Sequence, residues 1–222
     1  MNFVPQNKAF PENKTVLVQN FPIIEELVTK EENPYELRPF DFAYIGRITR
    51  DRGVFEILQA LSRLDFNESV KLQIAGNFYS VEMQKDLEIT AGWSSVVYHG
   101  WIDRPTMANI LGNVRAGLVL FHPVPNHLNS QPNKLFEYMS ASLPIIASDF
   151  PLWRDIVDRV ECGLLVDPQD PDAIAQAMKW ILENPEKAKQ MGKNGKIAVD
   201  EIYNWETESK QLIAMYEELL RG

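Results

Sequence analysis

Two periods of apolar residues alternate along this chain. Short apolar runs of strand length lie at 41–45, 70–75, 95–98, 116–121, 143–147 and 162–166. Between them, apolar residues recur every three or four positions. Val54, Ile57, Leu58, Leu61 and Leu64 make one such stripe and predict a helix over 54–64. Helices are also predicted over 80–91, over 103–111 with Asp103 as cap and Pro105 near the first turn, and over 134–141 and 150–157. Two more run from Asp170 to about 182 and from Pro185 to about 203. Trp205, Leu212, Tyr216 and Leu219 mark a terminal amphipathic helix with Asn204 at its N-cap.

The start of the chain is less regular. Residues 1–13 read as irregular, 15–19 as a β-prone run, 20–22 as a turn, 23–30 as a short helix and 31–39 as a loop. From 41 to 166 strands and helices take turns. That order predicts an α/β fold, a Rossmann-like doubly wound parallel sheet with helices on both faces. Three segments follow: 1–39 leads into the domain with a first strand and helix, 40–203 is the domain itself, and 204–222 is the C-terminal amphipathic helix.

At 222 residues the chain is one large domain or two small ones. A net charge of −9 argues against nucleic acid as a partner, because a phosphate backbone asks for a basic face. Cys162 is the only cysteine, so an intrachain disulfide is excluded and a reducing cytoplasm is the expected location. No run approaches the roughly 20 apolar residues of a membrane span, and the first residues lack the apolar core of a signal peptide. His122 and His127 stand five apart in a proline-bearing loop, too few ligands for a zinc site, so no metal is expected. Neither a P-loop nor a Gly-x-Gly-x-x-Gly pattern occurs, and the Gly-x-Ser-x-Gly elbow is absent too.

The chemistry gathers at strand ends. Residues 126–148 read as polar loop, helix, then buried strand, with Pro132 near the helix start. Such a start offers unpaired N–H groups and a positive dipole end to an anion. Asn133 and Lys134 lie there, and the Glu137 carboxylate can accept two hydroxyl hydrogen bonds, as a diol would ask. After the strand at 41–45, Gly46 permits a tight turn, and Arg47 and Arg52 can grip phosphate with paired hydrogen bonds. Tyr98, His99, Trp101 and Ile102 offer an edge or platform for a base. Each has a plainer reading alone: solvated loop arginines, a surface lysine, a solvated Glu137, core packing for Trp101.

Taken together these residues resemble a family. Tyr44-Ile45-Gly46-Arg47-Ile48 with Arg52-Gly53, Val97-Tyr98-His99-Gly100-Trp101-Ile102, Pro132-Asn133-Lys134-Leu135-Phe136-Glu137-Tyr138-Met139 with Leu143 to Ser148, and Gly163 to Pro168 are similar, in that order, to the C-terminal donor-binding domain of retaining GT-B glycosyltransferases, the large family 4 or group 1. The likeness covers roughly residues 40 to 220. It implies transfer of a sugar from a nucleotide-diphosphate sugar to an acceptor hydroxyl, with retention and without a cofactor. By the same likeness Arg47 and Arg52 hold the diphosphate, Glu137 binds the ribose, and Gly46, Tyr98, His99, Trp101, Ile102, Asn133, Lys134 and Leu135 line the donor site. The family's first glutamate falls on Asn129, where this sequence departs from the pattern; Asn129 or Ser130 would then meet the donor sugar as neutral substitutes. The resemblance further implies an N-terminal acceptor-binding domain as partner, this chain being a fragment or a separately made half, inactive alone. Polysaccharide assembly, and peripheral membrane association through that other half, are family-level implications. A nucleotide-sugar-binding module without transfer activity and an epimerase-like enzyme are the competing readings.

Overall fold

The computed structural model of the protein describes residues 15–27, 33–64 and 70–221. Among them the six strands of one parallel sheet alternate with helices. Strand β1 (Phe40–Ile45) leads through a 3-10 turn at Arg50–Arg52 to α1 (Val54–Leu61). There follow β2 (Leu72–Ala75), α2 (Val81–Glu88), β3 (Val96–Tyr98), α3 (Arg104–Leu111) and β4 (Val114–Val119). The second half runs α4 (Pro125–Leu128), α5 (Asn133–Ser140), β5 (Ile145–Ser148), α6 (Pro151–Val160), β6 (Gly163–Val166), α7 (Pro171–Glu183), α8 (Pro185–Glu201) and α9 (Trp205–Arg221).

The strand order is β3-β2-β1-β4-β5-β6, and every neighbouring pair is parallel. The chain winds outward one way from β1 and then the other way from β4. This is the doubly wound arrangement expected from the alternation of elements. Its central strands are mostly apolar because both faces are covered, while the edge strand β3 is half-exposed. Ile57, Leu58, Met83, Leu87, Ile174 and Met178 pack on one face. Met107, Leu111, Leu135, Met139, Ile156 and Val199 pack on the other.

Local signals set the helix boundaries. Asp103 accepts from Thr106 N at 3.0 Å, and the Asp170 side chain accepts from Asp172 N and Ala173 N. Asn204 Oδ1 accepts from Thr207 N at 2.8 Å and starts α9 as its composition predicts.

Four expectations need correction. The β-prone run at 15–19 joins no strand: no sheet edge lies alongside it, and β-propensity without a ladder partner makes no strand. Instead Gln19 N donates to Glu208 Oε1 at 2.6 Å and Trp205 N donates to Pro22 O at 3.1 Å, binding the entering segment to α9. Phe21 packs edge-on against Phe136 at 4.8 Å and against Tyr203 at 5.5 Å. The loop expected over 31–39 contains a 3-10 turn at Tyr35–Leu37, and the polar loop after β4 contains α4. Of the helix expected over 23–30, Ile24–Leu27 forms one 3-10 turn and 28–30 lie outside the described residues.

Candidate functional site

In a doubly wound sheet the crevice opens beyond the carboxyl ends of the strands where the winding reverses. Here that point lies between β1 and β4, which pair directly. Gly46 follows β1 with φ of 127°, a conformation that favours glycine, and its N–H donates to Ala75 O at 2.8 Å. A cleft of about 530 Å³ opens there, lined by Gly46, Arg47, Gly76, Phe78, Trp101 and Ile102. A neighbouring cleft of about 650 Å³ is lined by Arg47, Arg50, Asp51, Arg52, Tyr79 and His127, so Arg47 stands on both.

Helix α5 brings the second half of the site. Its N-cap is Pro132, and no side chain caps its first N–H groups. Tyr138 anchors it to the sheet: Ile45 N donates to the Tyr138 hydroxyl at 2.9 Å, and Gly117 in β4 leaves room for the ring. Lys134 lies one turn earlier on the same face of α5. Its Nζ is therefore carried beneath Gly46, where it sits 4.0 Å from the Tyr44 ring centroid and 5.0 Å from that of Phe121. The residue is buried, and its amine has no hydrogen-bond partner among the described residues. Burial pushes the Lys134 amine down to about 7; Arg52 pushes the same way and Glu137 opposes both. The Arg52 guanidinium lies over the other aromatic of the pair, 5.1 Å from the Phe121 ring centroid.

Glu137 is also buried, and its Oε1 accepts a hydrogen bond from Arg104 Nη1. The same guanidinium reaches Glu26 Oε2 at 3.2 Å. Arg104 thus links the entering segment to the carboxylate on α5. Asp51, at the mouth of the neighbouring cleft, is partly buried, which opposes ionisation. The Thr49 hydroxyl and His127 nonetheless hold its carboxyl below the usual range.

Gly46 and Arg47 line this cleft and Arg52 the neighbouring one, while from α5 Lys134 reaches the space beside Gly46 and Glu137 lies buried three residues on. Trp101, 72% exposed, and Ile102 line its far wall, and Tyr98 closes that side with its hydroxyl donating to Gly76 O at 2.9 Å. His99 turns back to the sheet, where its ring meets Gln73 Oε1 at 2.5 Å. Asn133 is exposed at the first position of α5. Leu135 enters the core and its N–H is taken by Pro132 O at 3.0 Å. Asn129 is exposed after α4, with Nδ2 donating to Pro125 O at 3.3 Å. Ser130 Oγ donates to His127 O, and its carbonyl accepts from Trp153 Nε1 at 2.7 Å.

Sequence reasoning missed Arg104, Tyr44 and Phe121. For the two aromatics one signal existed, since Lys134 shares a helix face with apolar Tyr138 and so points inward. Among the described residues, no cluster of three His, Cys, Asp or Glu side chains could hold a metal, and no helix is long and apolar enough to cross a membrane.

Comparison with known proteins gives the family and the fold. The profile of the glycosyl transferases group 1 matches residues 25–198. The MMP alpha-(1->4)-mannosyltransferase of Mycolicibacterium hassiacum is 24% identical over 171 residues, 76% of this chain and 40% of that protein. The chain spans less than half the length of that relative. Among solved structures, the C-terminal domain of a glycosyl transferase group 1 family protein from Francisella tularensis superposes with a TM-score of 0.67 at 18% identity, covering 83% of this chain and 99% of that one. HepE from Anabaena, solved in complex with UDP, superposes with a TM-score of 0.72 at 15% identity over 90% of this chain and 57% of that one. The fold is that of GT-B glycosyltransferases. With the profile matching most of its length, the chain belongs to the group 1 glycosyl transferases.

Proposed function

We propose that this chain is the donor-binding half of a retaining glycosyltransferase, holding a nucleotide-diphosphate sugar for transfer to an acceptor hydroxyl presented by an N-terminal domain. One observation supports the reading: Arg47 lines both clefts at the end of β1, and beside Gly46 the Arg52 guanidinium and the buried, unpartnered Lys134 amine come together from the β1 turn and from α5, the helix that also carries Glu137. Cations and helix N–H groups there meet the charge that develops on a leaving diphosphate, without calling on a metal or cofactor. Glu137 takes the ribose diol, and Tyr98, Trp101 and Ile102 flank the base. Asn129 and Ser130, on the segment between β4 and α5, face the donor sugar in place of the family's first glutamate. The structure of HepE with UDP makes a uridine nucleotide the first to try. Nucleotide sugars of this kind place the reaction in the cytoplasm, with any membrane contact made through the other half.

Thermal stability of the chain with UDP, GDP and ADP tests the reading. A diphosphate at a hundred times its Kd adds roughly 2.7 kcal/mol. One of the three stabilises the parent chain and fails to stabilise Arg47→Ala and Glu137→Ala. No stabilisation by any of the three overturns the reading.

A further inference from the structure

We propose that Lys134 is a proton-coupled phosphate ligand: its amine, held without a hydrogen-bond partner beneath Gly46, takes a proton from solvent when a diphosphate enters the crevice and returns it when the diphosphate leaves. The inference rests on the donor-site reading above and adds a regulation to that site.

The geometry supplies the argument. Nζ is enclosed by the rings of Tyr44 and Phe121 and has no carboxylate or carbonyl to accept from it. Its route to the cleft passes Gly46. A Cβ there would stand 3.7 Å from Nζ and 4.0 Å from Arg52 Nη1, so the bare Gly46, which lines the cleft, is what separates both cations from it. A buried ammonium without an acceptor is costly, and a lysine answers that cost by giving up its proton. Every neighbour can be named. Tyr44, from β1, presents its ring and donates its hydroxyl to Arg47 O at 2.9 Å. Arg52, from the turn after β1, repels a charge on Nζ. Glu137, on the same helix, attracts it but is already engaged by Arg104. The Tyr138 hydroxyl is taken up in accepting from Ile45 N. His127 also packs on the Phe121 ring, 4.7 Å between centroids, and is itself paired with Asp51 at 3.7 Å. None supplies the negative charge that would keep the ammonium.

A diphosphate at Gly46 supplies it. Its oxygens accept from Nζ, the amine lone pair takes a proton from buffer or water, and the new ammonium is paired as it forms. The amine, sitting near 7 before binding, is mostly neutral at pH 8.5. Binding at that pH therefore consumes close to one proton per site, and above pH 7 the Kd rises towards tenfold per pH unit.

The experiment is calorimetric titration of the chain with UDP, GDP and ADP at pH 8.5 in two buffers of different ionisation enthalpy. The expected result is uptake of nearly one proton per bound nucleotide in the parent chain at this pH, where the nucleotide's own phosphates are fully ionised. Lys134→Met binds more weakly and takes up none; Lys134→Gln, polar and uncharged, does the same and guards against a folding defect in either variant. Binding without proton uptake, or uptake unchanged in both variants, overturns the inference and leaves the donor-site reading standing. No binding of any of the three nucleotides overturns both.

Discussion

The Tyr138 ring lies directly over Gly117: a Cβ on Gly117 would stand 2.2 Å from Tyr138 Cδ2, far inside any real carbon contact. Both are core positions, on α5 and β4, and the Tyr138 hydroxyl is also fixed by Ile45 N. Gly117→Ala therefore overpacks the seam between helix and sheet, at a cost of about 2 to 3 kcal/mol in urea unfolding. The same change tilts α5 and weakens nucleotide binding beyond the loss of stability. An alanine tolerated with an unchanged midpoint would mean that helix and sheet slide freely past each other.

Lys134 makes stability depend on pH in a direction unlike that of a surface lysine. The unfolded chain keeps this proton up to about pH 10.4, while the folded chain gives it up near 7. Between those values the unfolded state binds more protons, so the folded state gains about 1.4 kcal/mol per pH unit as pH rises. Below 7 the charge is buried at full cost. Lys134→Met is thus more stable than the parent at pH 6, and the gap narrows from pH 7 to pH 10. Urea midpoints at pH 6, 7.5 and 9 read the trend; a gap independent of pH would show a charged amine throughout.

Arg104 and Glu137 form one unit and should respond as one. The Glu137 side chain is 12% exposed and that of Arg104 46%, so solvent screens part of their attraction. Arg104→Gln leaves a buried carboxylate short of its donor and costs about 1 to 2 kcal/mol. Glu137→Gln in the same chain recovers part of that loss. A double-mutant cycle with a coupling of about 1 kcal/mol is expected, and strict additivity would show that the pair is incidental.

Arg47 separates binding from scaffold. It is exposed, and its guanidinium rests 5.7 Å from the Tyr79 ring centroid. Arg47→Ala should shift stability by no more than about 0.5 kcal/mol, while stabilisation by a nucleoside diphosphate falls away. A variant that unfolds readily would instead make Arg47 part of the framework.

Much of the sheet was legible because parallel strands buried on both faces are rich in apolar residues. Each of 41–45, 70–75, 95–98, 116–121, 143–147 and 162–166 overlaps a strand, with ends displaced by one or two residues in either direction. The run at 15–19 misled because residue type reports fitness for a pleated surface and says nothing about whether a neighbour exists. Helix α4 has four residues, too few to show a period. The crevice residues were legible as separate loops, and their meeting followed from topology once β1 and β4 were seen side by side. The Arg104 contact was not legible. It joins residues 33 apart, from the first residue of α3 to α5, two helices that both pack on the turn at Ile24–Leu27, and no local spacing encodes that. Lys134 was read as surface lysine or phosphate contact in equal measure; Tyr138 four residues on settles which way it faces.

The entering segment and α9 are fastened to each other at Pro22 and Trp205, and the entering segment also carries Glu26, the second carboxylate on Arg104. Glu26 and Glu137 thus share one guanidinium, so the surroundings of the α5 carboxylate include a residue from the far end of the chain, on a segment held in place by its own bond to α9.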